Sequence, residues 1–153
     1  MKAKDLKIIS LLRSNARMSL TKISRKTNIP VTTIFDRLKY NEGVVIKKHT
    51  CLLNYQKLGY STIAIILLAV DRDNRKALQN FLVSHRLINT VYKISNGYDF
   101  MLEGIFKQIN EMEEFIEDID SKFRITSKKY FFILEDVKRE SFLSVDNSPH
   151  LGI

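Results

Sequence analysis

A short run of side chains between residues 31 and 41 combines hydroxyl groups, positive charge and an aromatic ring. If this segment is helical, the 3.6-residue repeat turns Val31, Ile34 and Leu38 inward. The outward set is then Thr32, Thr33, Asp36, Arg37, Lys39 and Tyr40. Hydroxyl groups approach base edges or phosphates closely, while Arg and Lys supply charge and read guanine. We therefore expect this helix to enter the major groove of DNA, with Arg37 as the first candidate for a base or phosphate contact.

The residues before this segment supply the elements that would position it. Residues 20–27 repeat apolar side chains at helical spacing, and Ser19 carries the hydroxyl of a helix N-cap. The break at 28–30 ends in proline, and residues 3–14 form a further amphipathic pattern that would pack on both helices. Together these patterns predict a helix-turn-helix whose second helix binds DNA.

The stretch after residue 41 predicts a wing. Glu42-Gly43 offers a helix stop, and two apolar, strand-like pieces then flank a basic tip. The pieces are residues 44–46 and 50–53, and the tip is Lys47-Lys48-His49. In a winged helix-turn-helix, Lys47 and Lys48 would meet phosphates rather than bases. An ordinary surface hairpin is the alternative interpretation of these lysines.

Charge is distributed unevenly along the 153 residues, whose net charge is +8. Residues 1–60 hold 13 Lys and Arg against 3 Asp and Glu, or +10. Residues 61–153 hold 12 against 14, or −2. A basic segment that also carries a helix-turn-helix pattern is typical of a nucleic-acid-binding protein, whereas a solvated basic surface is the plainer explanation.

The second half of the chain repeats a pattern of strand, helix and strand. Strand-like stretches cover 62–70, 88–95, 100–106 and 126–137, and helical spacing covers 73–85 and 108–123. The order β-α-β-β-α-β predicts an α+β protein with a ferredoxin-like domain. Residues 130–134 are apolar on both faces of the last strand. A sheet with two apolar faces must cover the second one, most simply with another copy, so we expect a homodimer.

Several classes of protein are disfavoured by the composition. A single cysteine, Cys51, excludes an intramolecular disulfide framework, and no metal-ligand spacing or phosphate-binding loop occurs. The longest apolar run, 62–70, is the length of a strand, and the first residues lack the apolar core of a signal peptide. We therefore expect a cytoplasmic protein with no cofactor and no membrane partner.

Five pieces of the chain, in order, resemble the leucine-responsive regulatory protein/AsnC family of prokaryotic transcription regulators. They are Asn15-Ala16-Arg17-Met18-Ser19, Thr33-Ile34-Phe35-Asp36-Arg37-Leu38-Lys39, Val45-Ile46-Lys47-Lys48, Lys57-Leu58-Gly59-Tyr60 and Tyr98-Asp99-Phe100-Met101-Leu102. The resemblance covers about residues 3 to 140. It departs after Arg37, where the run to Gly43 is shorter than the family pattern, so either the helix ends early or the wing starts elsewhere.

The resemblance implies a RAM-type C-terminal domain, dimers that assemble into octamers or other even-numbered oligomers, and inverted-repeat operators in double-stranded DNA. It also implies an amino-acid effector, bound at a loop that here is Asn96, Gly97, Tyr98 and Asp99. Asn96 stands where the family has glycine, but asparagine tolerates left-handed backbone well, so the turn is expected to persist. The plainer interpretation is that Asp99 only caps a turn.

We therefore predict a sequence-specific DNA-binding transcriptional regulator whose assembly or DNA binding responds to an amino acid or related small molecule. Its expected parts are a winged helix-turn-helix at 1–54, a linker at 55–60, a ferredoxin-like domain at 61–140 and a loose or swapped tail at 141–153. One alternative is an enzyme similar to the sirohaem decarboxylases, for which His49, His85 and His150 would be the candidate groups. The other is an architectural DNA-binding protein without an effector.

Overall fold

The computed structural model of the chain describes residues 2–144. Within that range the helices are α1 (Ala3–Ser14), α2 (Leu20–Thr27), α3 (Val31–Asn41), α4 (Arg75–Ser84) and α5 (Ile109–Lys122). The strands are β1 (Thr62–Val70), β2 (Ile88–Lys93), β3 (Phe100–Phe106) and β4 (Ile125–Phe132). The described residues divide into two compact units, 2–52 with 137–144 and 53–136. No helix in the described range has the length and apolar character needed to cross a membrane.

The N-terminal unit is built on three helices around a small apolar core. The buried core side chains are Ile8, Leu11, Ile23, Ile29 and Ile34. The Ser19 hydroxyl caps α2 by accepting the Lys22 N–H at 3.3 Å. Asn28 ends α2 in the left-handed conformation at φ 56°, and Pro30 leads into α3. The helix-turn-helix predicted from the sequence is confirmed.

The turn after α3 replaces the predicted hairpin of the wing. The Asn41 carbonyl accepts the N–H groups of Val44, Val45 and Ile46 at 3.2, 2.9 and 3.0 Å, which curls the chain where a strand was expected. One bridge joins Glu42 to Ile46, and residues 47–54 contain no strand. An isolated hairpin is marginal without a surface to bury its apolar side, and Val44 is 68% exposed. The prediction of two strands around Lys47-Lys48-His49 was therefore wrong.

Residues 137–144 return to the N-terminal unit. Arg13 donates from Nε to the Phe142 carbonyl at 3.1 Å, and from Nη2 to the Glu140 carbonyl at 2.8 Å and to its carboxylate at 3.0 Å. Ser144 is buried, and its N–H donates to the Ser141 carbonyl at 3.2 Å. The first residues of the predicted tail are thus held against α1, and residues 145–153, with His150, lie outside the described range.

Replacing Arg13 with alanine is expected to loosen this C-terminal segment. The ion pair is partly exposed, so the loss should be about 1 kcal/mol, or roughly fivefold faster hydrogen exchange at the Ser144 amide. Hydrogen exchange followed by mass spectrometry or NMR measures it. Arg17→Ala, which changes an exposed arginine just after α1, is the control. Unchanged exchange at Ser144 in Arg13→Ala would show that the segment holds without the arginine.

The C-terminal unit is a four-stranded antiparallel sheet covered by α4 and α5. The strand order is β2-β3-β1-β4, and Ala64, Ile66 and Leu68 of β1 are fully buried beneath the helices. Other core side chains come from α4, β3 and α5: Leu78, Leu82, Phe100, Leu102, Phe106, Met112, Phe115, Ile116 and Ile119. This is the predicted ferredoxin-like arrangement, so the α+β fold class is confirmed.

Several details of this unit differ from the sequence prediction, among them the bounds of β2 and α4, which were expected at 88–95 and 73–85. Strand β4 ends at Phe132, well before residue 137. The Ile133 N–H still donates to the Ile63 carbonyl at 2.9 Å, but β1 begins at Thr62, so residues 135–137 lie beyond its end. In the helix expected at 108–123, Met112, Ile116 and Ile119 are buried as their spacing predicts, but Ile109 is 50% exposed, and Phe123 follows the last residue of α5 and is half-buried. Ile109 is the first residue of α5, and side chains lean toward the helix N-terminus, so its side chain points beyond the core.

The sheet face away from the helices carries an apolar centre. We call it the open face and define it by Ile63, Ile65 and Leu67 of β1 with Met101 of β3 and Phe131 of β4. Ile65 pairs with Phe131 on one side and Glu103 on the other, and Leu67 pairs with Met101, so these side chains share a face. Phe131 is 51% exposed and the other four are half-buried.

His85, the residue that follows α4, lies in an aromatic cluster. Its ring centroid lies 5.3 Å from that of Phe81 and 4.8 Å from that of Phe115. Its Nδ1 accepts the Leu87 N–H at 3.3 Å. An imidazole nitrogen can accept a hydrogen bond only when it is unprotonated, so this geometry requires at least that nitrogen to be free of a proton.

Protonation of His85 is expected to destabilise the C-terminal unit. Burial lowers the pKa of His85 below 6.5, Asp118 opposes the shift, and Arg86 and Lys122 reinforce it. Because the folded pKa lies below the unfolded one, the contribution to stability is complete above pH 6.5 and is lost as the pH falls through the folded pKa. Urea unfolding at pH 7.5 and 5.5 should show the advantage of wild type over His85→Gln shrinking at pH 5.5. An advantage independent of pH would contradict this.

Candidate functional site

The exposed face of α3 presents most of the residues predicted to contact DNA. Thr32, Asp36, Lys39 and Tyr40 are exposed, and Thr33 is half-buried. The Tyr40 side chain is 70% exposed. Their spacing along α3 places Thr32, Asp36 and Lys39 in one row and Thr33 and Tyr40 beside it. The face offers hydroxyl groups, a cation, an acid and an aromatic ring to a groove.

Two apolar side chains of α3 differ from the sequence prediction. Val31 was predicted inward but is 40% exposed, because it opens the helix and leans past the core formed with α1 and α2. Phe35 was absent from the candidate residues but is 55% exposed, three residues after Thr32 and four before Lys39. That spacing in the sequence could have identified it. An exposed phenylalanine there is suited to contact with a thymine methyl group.

Arg37 is less free than its predicted outward position implied. Its Nη1 lies 3.5 Å from Oδ1 of Asp5, and the two side chains are 26% and 4% exposed. The other oxygen of Asp5 accepts the Lys2 N–H at 3.0 Å, at the start of α1. The carboxylate thus links the first turn of α1 to α3. Arg37 therefore has a structural partner, and a nucleic-acid contact must use its remaining donors.

Further positive charge is exposed in the same N-terminal unit. Lys22, Arg25 and Lys26 of α2 are exposed, as are Lys47 and Lys48 in the irregular segment beyond α3. His49, next to them, lies 3.6 Å from the Glu42 carboxylate. Exposed lysines on flexible stems attract phosphates at long range and make binding depend on salt concentration.

The loop between β2 and β3 brings the four predicted effector residues together. Asn96 and Gly97 both have left-handed backbone, with φ of 73° and 94°. The turn therefore persists with asparagine in place of the usual glycine, as expected from the sequence. Tyr98 and Asp99 follow, and both are half-buried.

Asp99 fastens this loop to three neighbouring elements. Its Oδ2 accepts the Val70 N–H at 2.9 Å, its own N–H donates to the Leu68 carbonyl at 2.9 Å, and its carbonyl accepts the Ile94 N–H at 2.9 Å. Its Oδ1 lies 2.7 Å from Nη2 of Arg75. Asp99 thus does more than cap a turn. Sequence reasoning missed Arg75, because no local pattern links residues 75 and 99.

A separate cavity of about 380 Å³ lies at the other end of the β2–β3 hairpin. It is lined by residues of the segment after residue 52, including Tyr55 and Tyr60, and by Arg86, Ile105 and Lys107. None of the residues predicted from the sequence as a site lines it. The described residues contain no group of three His, Cys, Asp or Glu side chains that could hold a metal ion.

Two family models together match most of the chain. The model described as Lrp/AsnC ligand binding domain matches residues 63–143, and the one described as winged helix-turn-helix DNA-binding matches residues 1–39. An uncharacterised HTH-type transcriptional regulator of Pyrococcus furiosus is 31% identical over 137 residues, covering 89% of this chain and 93% of the relative. The HTH-type transcriptional regulator FL11 of the same organism is 30% identical over 142 residues, covering 92% and 94%.

Solved structures share the fold at lower identity. A Neisseria meningitidis transcriptional regulator in complex with L-Met has a TM-score of 0.83 and 18% identity, covering 91% of this chain and 93% of that one. Bacillus subtilis LrpC has a TM-score of 0.81 and 20% identity, with coverage of 90% and 97%. For Escherichia coli AsnC the TM-score is 0.79 and the identity 17%, with coverage of 91% and 95%.

Proposed function

The chain belongs to the Lrp/AsnC family of helix-turn-helix transcriptional regulators, and we propose that it binds inverted-repeat operators in double-stranded DNA as a homodimer and responds to an amino acid or related small molecule. The observation that carries the DNA-binding part is the exposed face of α3. Thr32, Asp36, Lys39 and Tyr40 project from it, with Thr33 and Arg37 half-buried beside them.

Direct readout of bases is assigned to Thr32, Thr33, Arg37 and Tyr40. Asp36 can accept a hydrogen bond from the amino group of cytosine, and Lys39 supplies charge beside it. Lys47 and Lys48 are assigned to phosphates, which position the protein but carry no sequence information. Residues 1–60 carry +10, so we expect affinity to fall steeply with salt concentration.

The homodimer is supported by the open face of the sheet. Ile63, Ile65, Leu67, Met101 and Phe131 form a contiguous apolar surface that no other described element fully covers. Monomeric proteins rarely expose such a surface, and a two-fold copy would bury it against itself. A dimer also presents two α3 helices, which suits an inverted repeat. Assembly of dimers into octamers or other even-numbered oligomers extends the proposal, and native mass spectrometry tests it.

The effector response is supported by the loop at 96–99 and by the ligand-binding family model over residues 63–143. The Neisseria meningitidis regulator, which has the same fold, was solved with L-Met. We assign effector binding to Asn96, Gly97, Tyr98 and Asp99, in a protein that acts on chromosomal DNA in the cytoplasm. Calorimetry with each of the twenty amino acids tests this part, and silence throughout would exclude this class of effector.

Selection of bound sites from a random DNA pool tests the operator. We expect an inverted repeat whose half-sites are centred roughly 10–10.5 base pairs apart, or a multiple of that distance. A single half-site would contradict the dimer and leave DNA reading by α3 intact. Enrichment of no sequence, with binding that varies only with salt, would instead identify an architectural DNA-binding protein.

A further inference from the structure

Arg75, the first residue of α4, has an unused donor beside the effector loop. Its Nη2 lies 2.7 Å from Oδ1 of Asp99, and its side chain is 41% exposed. Its Nε is buried and has no hydrogen-bond partner among the described residues. A buried N–H without an acceptor is unfavourable, and such groups in native structures often await a water, an ion or a ligand. The guanidinium fork can hold two carboxylates at once, because its donors point in several directions.

Asp99, by contrast, is poorly accessible to a ligand. Its two oxygens already have partners, the Val70 N–H at 2.9 Å and Arg75 at 2.7 Å, and its side chain is 17% exposed. An ammonium group arriving at Asp99 would compete with a cation already in place. The Arg75 side chain is therefore more accessible than that of Asp99, and this favours a negatively charged ligand group.

The loop backbone adds donors of the same kind. Within the described residues, the N–H groups of Asn96, Gly97 and Tyr98 donate to no protein acceptor, whereas the N–H of Asp99 donates to Leu68. Left-handed backbone at Asn96 and Gly97 prevents the regular pairing that would use these groups. Consecutive free N–H groups in a loop that Asp99 ties to a guanidinium suit a carboxylate.

We propose that Arg75 determines the specificity of the effector site by binding the carboxylate of a small organic acid. This inference rests on the proposed effector response, because it concerns the same loop. Asp99 neutralises and orients Arg75, so it acts as a positioning residue. The carboxylate is the group that the site requires, and it is shared by amino acids and by 2-oxo acids. The ammonium group of an amino acid is then secondary.

Calorimetry on the full-length protein tests this with three probes. These are the amino acid that binds best in the screen above, its primary amide, which lacks the carboxylate, and its 2-oxo acid, which lacks the ammonium group. Wild type should bind the amide about 10- to 100-fold more weakly than the amino acid, and should still bind the 2-oxo acid. Arg75→Gln should bind the amino acid as weakly as wild type binds the amide. Arg75→Lys should lie between the two, because it keeps the charge and loses the fork.

The discriminating quantity is the ratio of the affinities for amino acid and amide. A purely structural role for Arg75 would weaken both ligands together and leave that ratio unchanged, which would overturn the assignment while the effector response stands. A 2-oxo acid that fails to bind wild type would also overturn it, because the ammonium group would then be required. If neither an amino acid nor a 2-oxo acid binds wild type, the effector response and this inference fail together. Arg72→Gln, an exposed arginine just before α4, is the matched control and should preserve the ratio.

Discussion

Replacing Arg37 with alanine is expected to weaken specific operator binding by about 1–3 kcal/mol, which is the range for the loss of one good contact to a base. Quantitative footprinting or fluorescence anisotropy on the selected operator measures it. If Arg37 contacts a base, the variant should lose preference at one position of each half-site. If it contacts a phosphate, binding should weaken for all sequences and the salt dependence should decrease by about one charge.

The same substitution removes the partner of a buried carboxylate, so stability must be measured separately. Asp5 is 4% exposed at its side chain and would keep only the Lys2 N–H at 3.0 Å. Removing one member of a largely buried ion pair leaves an uncompensated charge, at a cost of about 1–3 kcal/mol where the pair is partly solvated, as here. Binding should therefore be assayed well below the melting temperature of the variant.

Asp5→Asn separates the two roles. Asparagine can still cap the start of α1, but it releases Arg37 from its charged partner. We expect this variant to be less stable than wild type and to bind the operator at least as tightly. If Arg37→Ala binds as tightly as wild type, Arg37 serves only the fold. If Asp5→Asn loses binding as severely as Arg37→Ala, the ion pair orients α3 and Arg37 makes no direct contact.

The elements were predictable wherever a local pattern carried the information. Strands β1 and β3 have the bounds expected from their apolar runs, 62–70 and 100–106. Helices α2 and α3 follow from their spacing, the Ser19 cap and the proline at residue 30. The left-handed turn at Asn96 followed from the conformational tolerance of asparagine, and its φ of 73° agrees.

The features that the sequence did not predict are of two kinds. Some are ion pairs between residues far apart in the sequence, and one is a turn held by a single backbone carbonyl. Asp5 and Arg37 are 32 residues apart, and each belongs to a helix whose periodicity only sorts side chains into inward and outward. Arg75 and Asp99 present the same difficulty. The failed hairpin after α3 depends on the Asn41 carbonyl, which collects three N–H groups. Residues 44–53 have the apolar pattern of strands, and nothing in that pattern indicates that the Asn41 carbonyl will accept these N–H groups.

The candidate site follows the same division. The exposed face of α3 could be read from helical spacing, apart from Phe35, because exposure on a short helix is a local property. The ion-pair partners of Arg37 and Asp99 could not be predicted, because each partner lies on a helix that is far away in the sequence. The bounds of the two domains stay predictions, as do the DNA-contacting and effector residues. The homodimer stays a proposal, and a substitution on the open face tests it.

Replacing Ile65 with aspartate is expected to dissociate the homodimer and abolish operator binding. Ile65 lies at the centre of the open face, between Phe131 and Glu103 in the strands on either side. In a two-fold interface each substitution occurs twice, so two carboxylates would be buried without partners, and each adds to an existing acid at Glu103. At several kcal/mol for each buried, unpaired charge, the dimer dissociation constant should rise by roughly a thousandfold or more.

Analytical ultracentrifugation measures whether the protein is a monomer or a dimer, and fluorescence anisotropy measures its affinity for the operator. A monomer carries one α3 and can engage one half-site, so operator affinity should fall to the level of non-specific DNA. Val83→Asp is the matched control, because Val83 is 70% exposed on α4 and lies outside the open face. Circular dichroism should show both variants folded, since Ile65 is not part of the core beneath the helices. An Ile65→Asp protein that remains dimeric would mean that the copies meet through another surface, and the open face would then need a different partner.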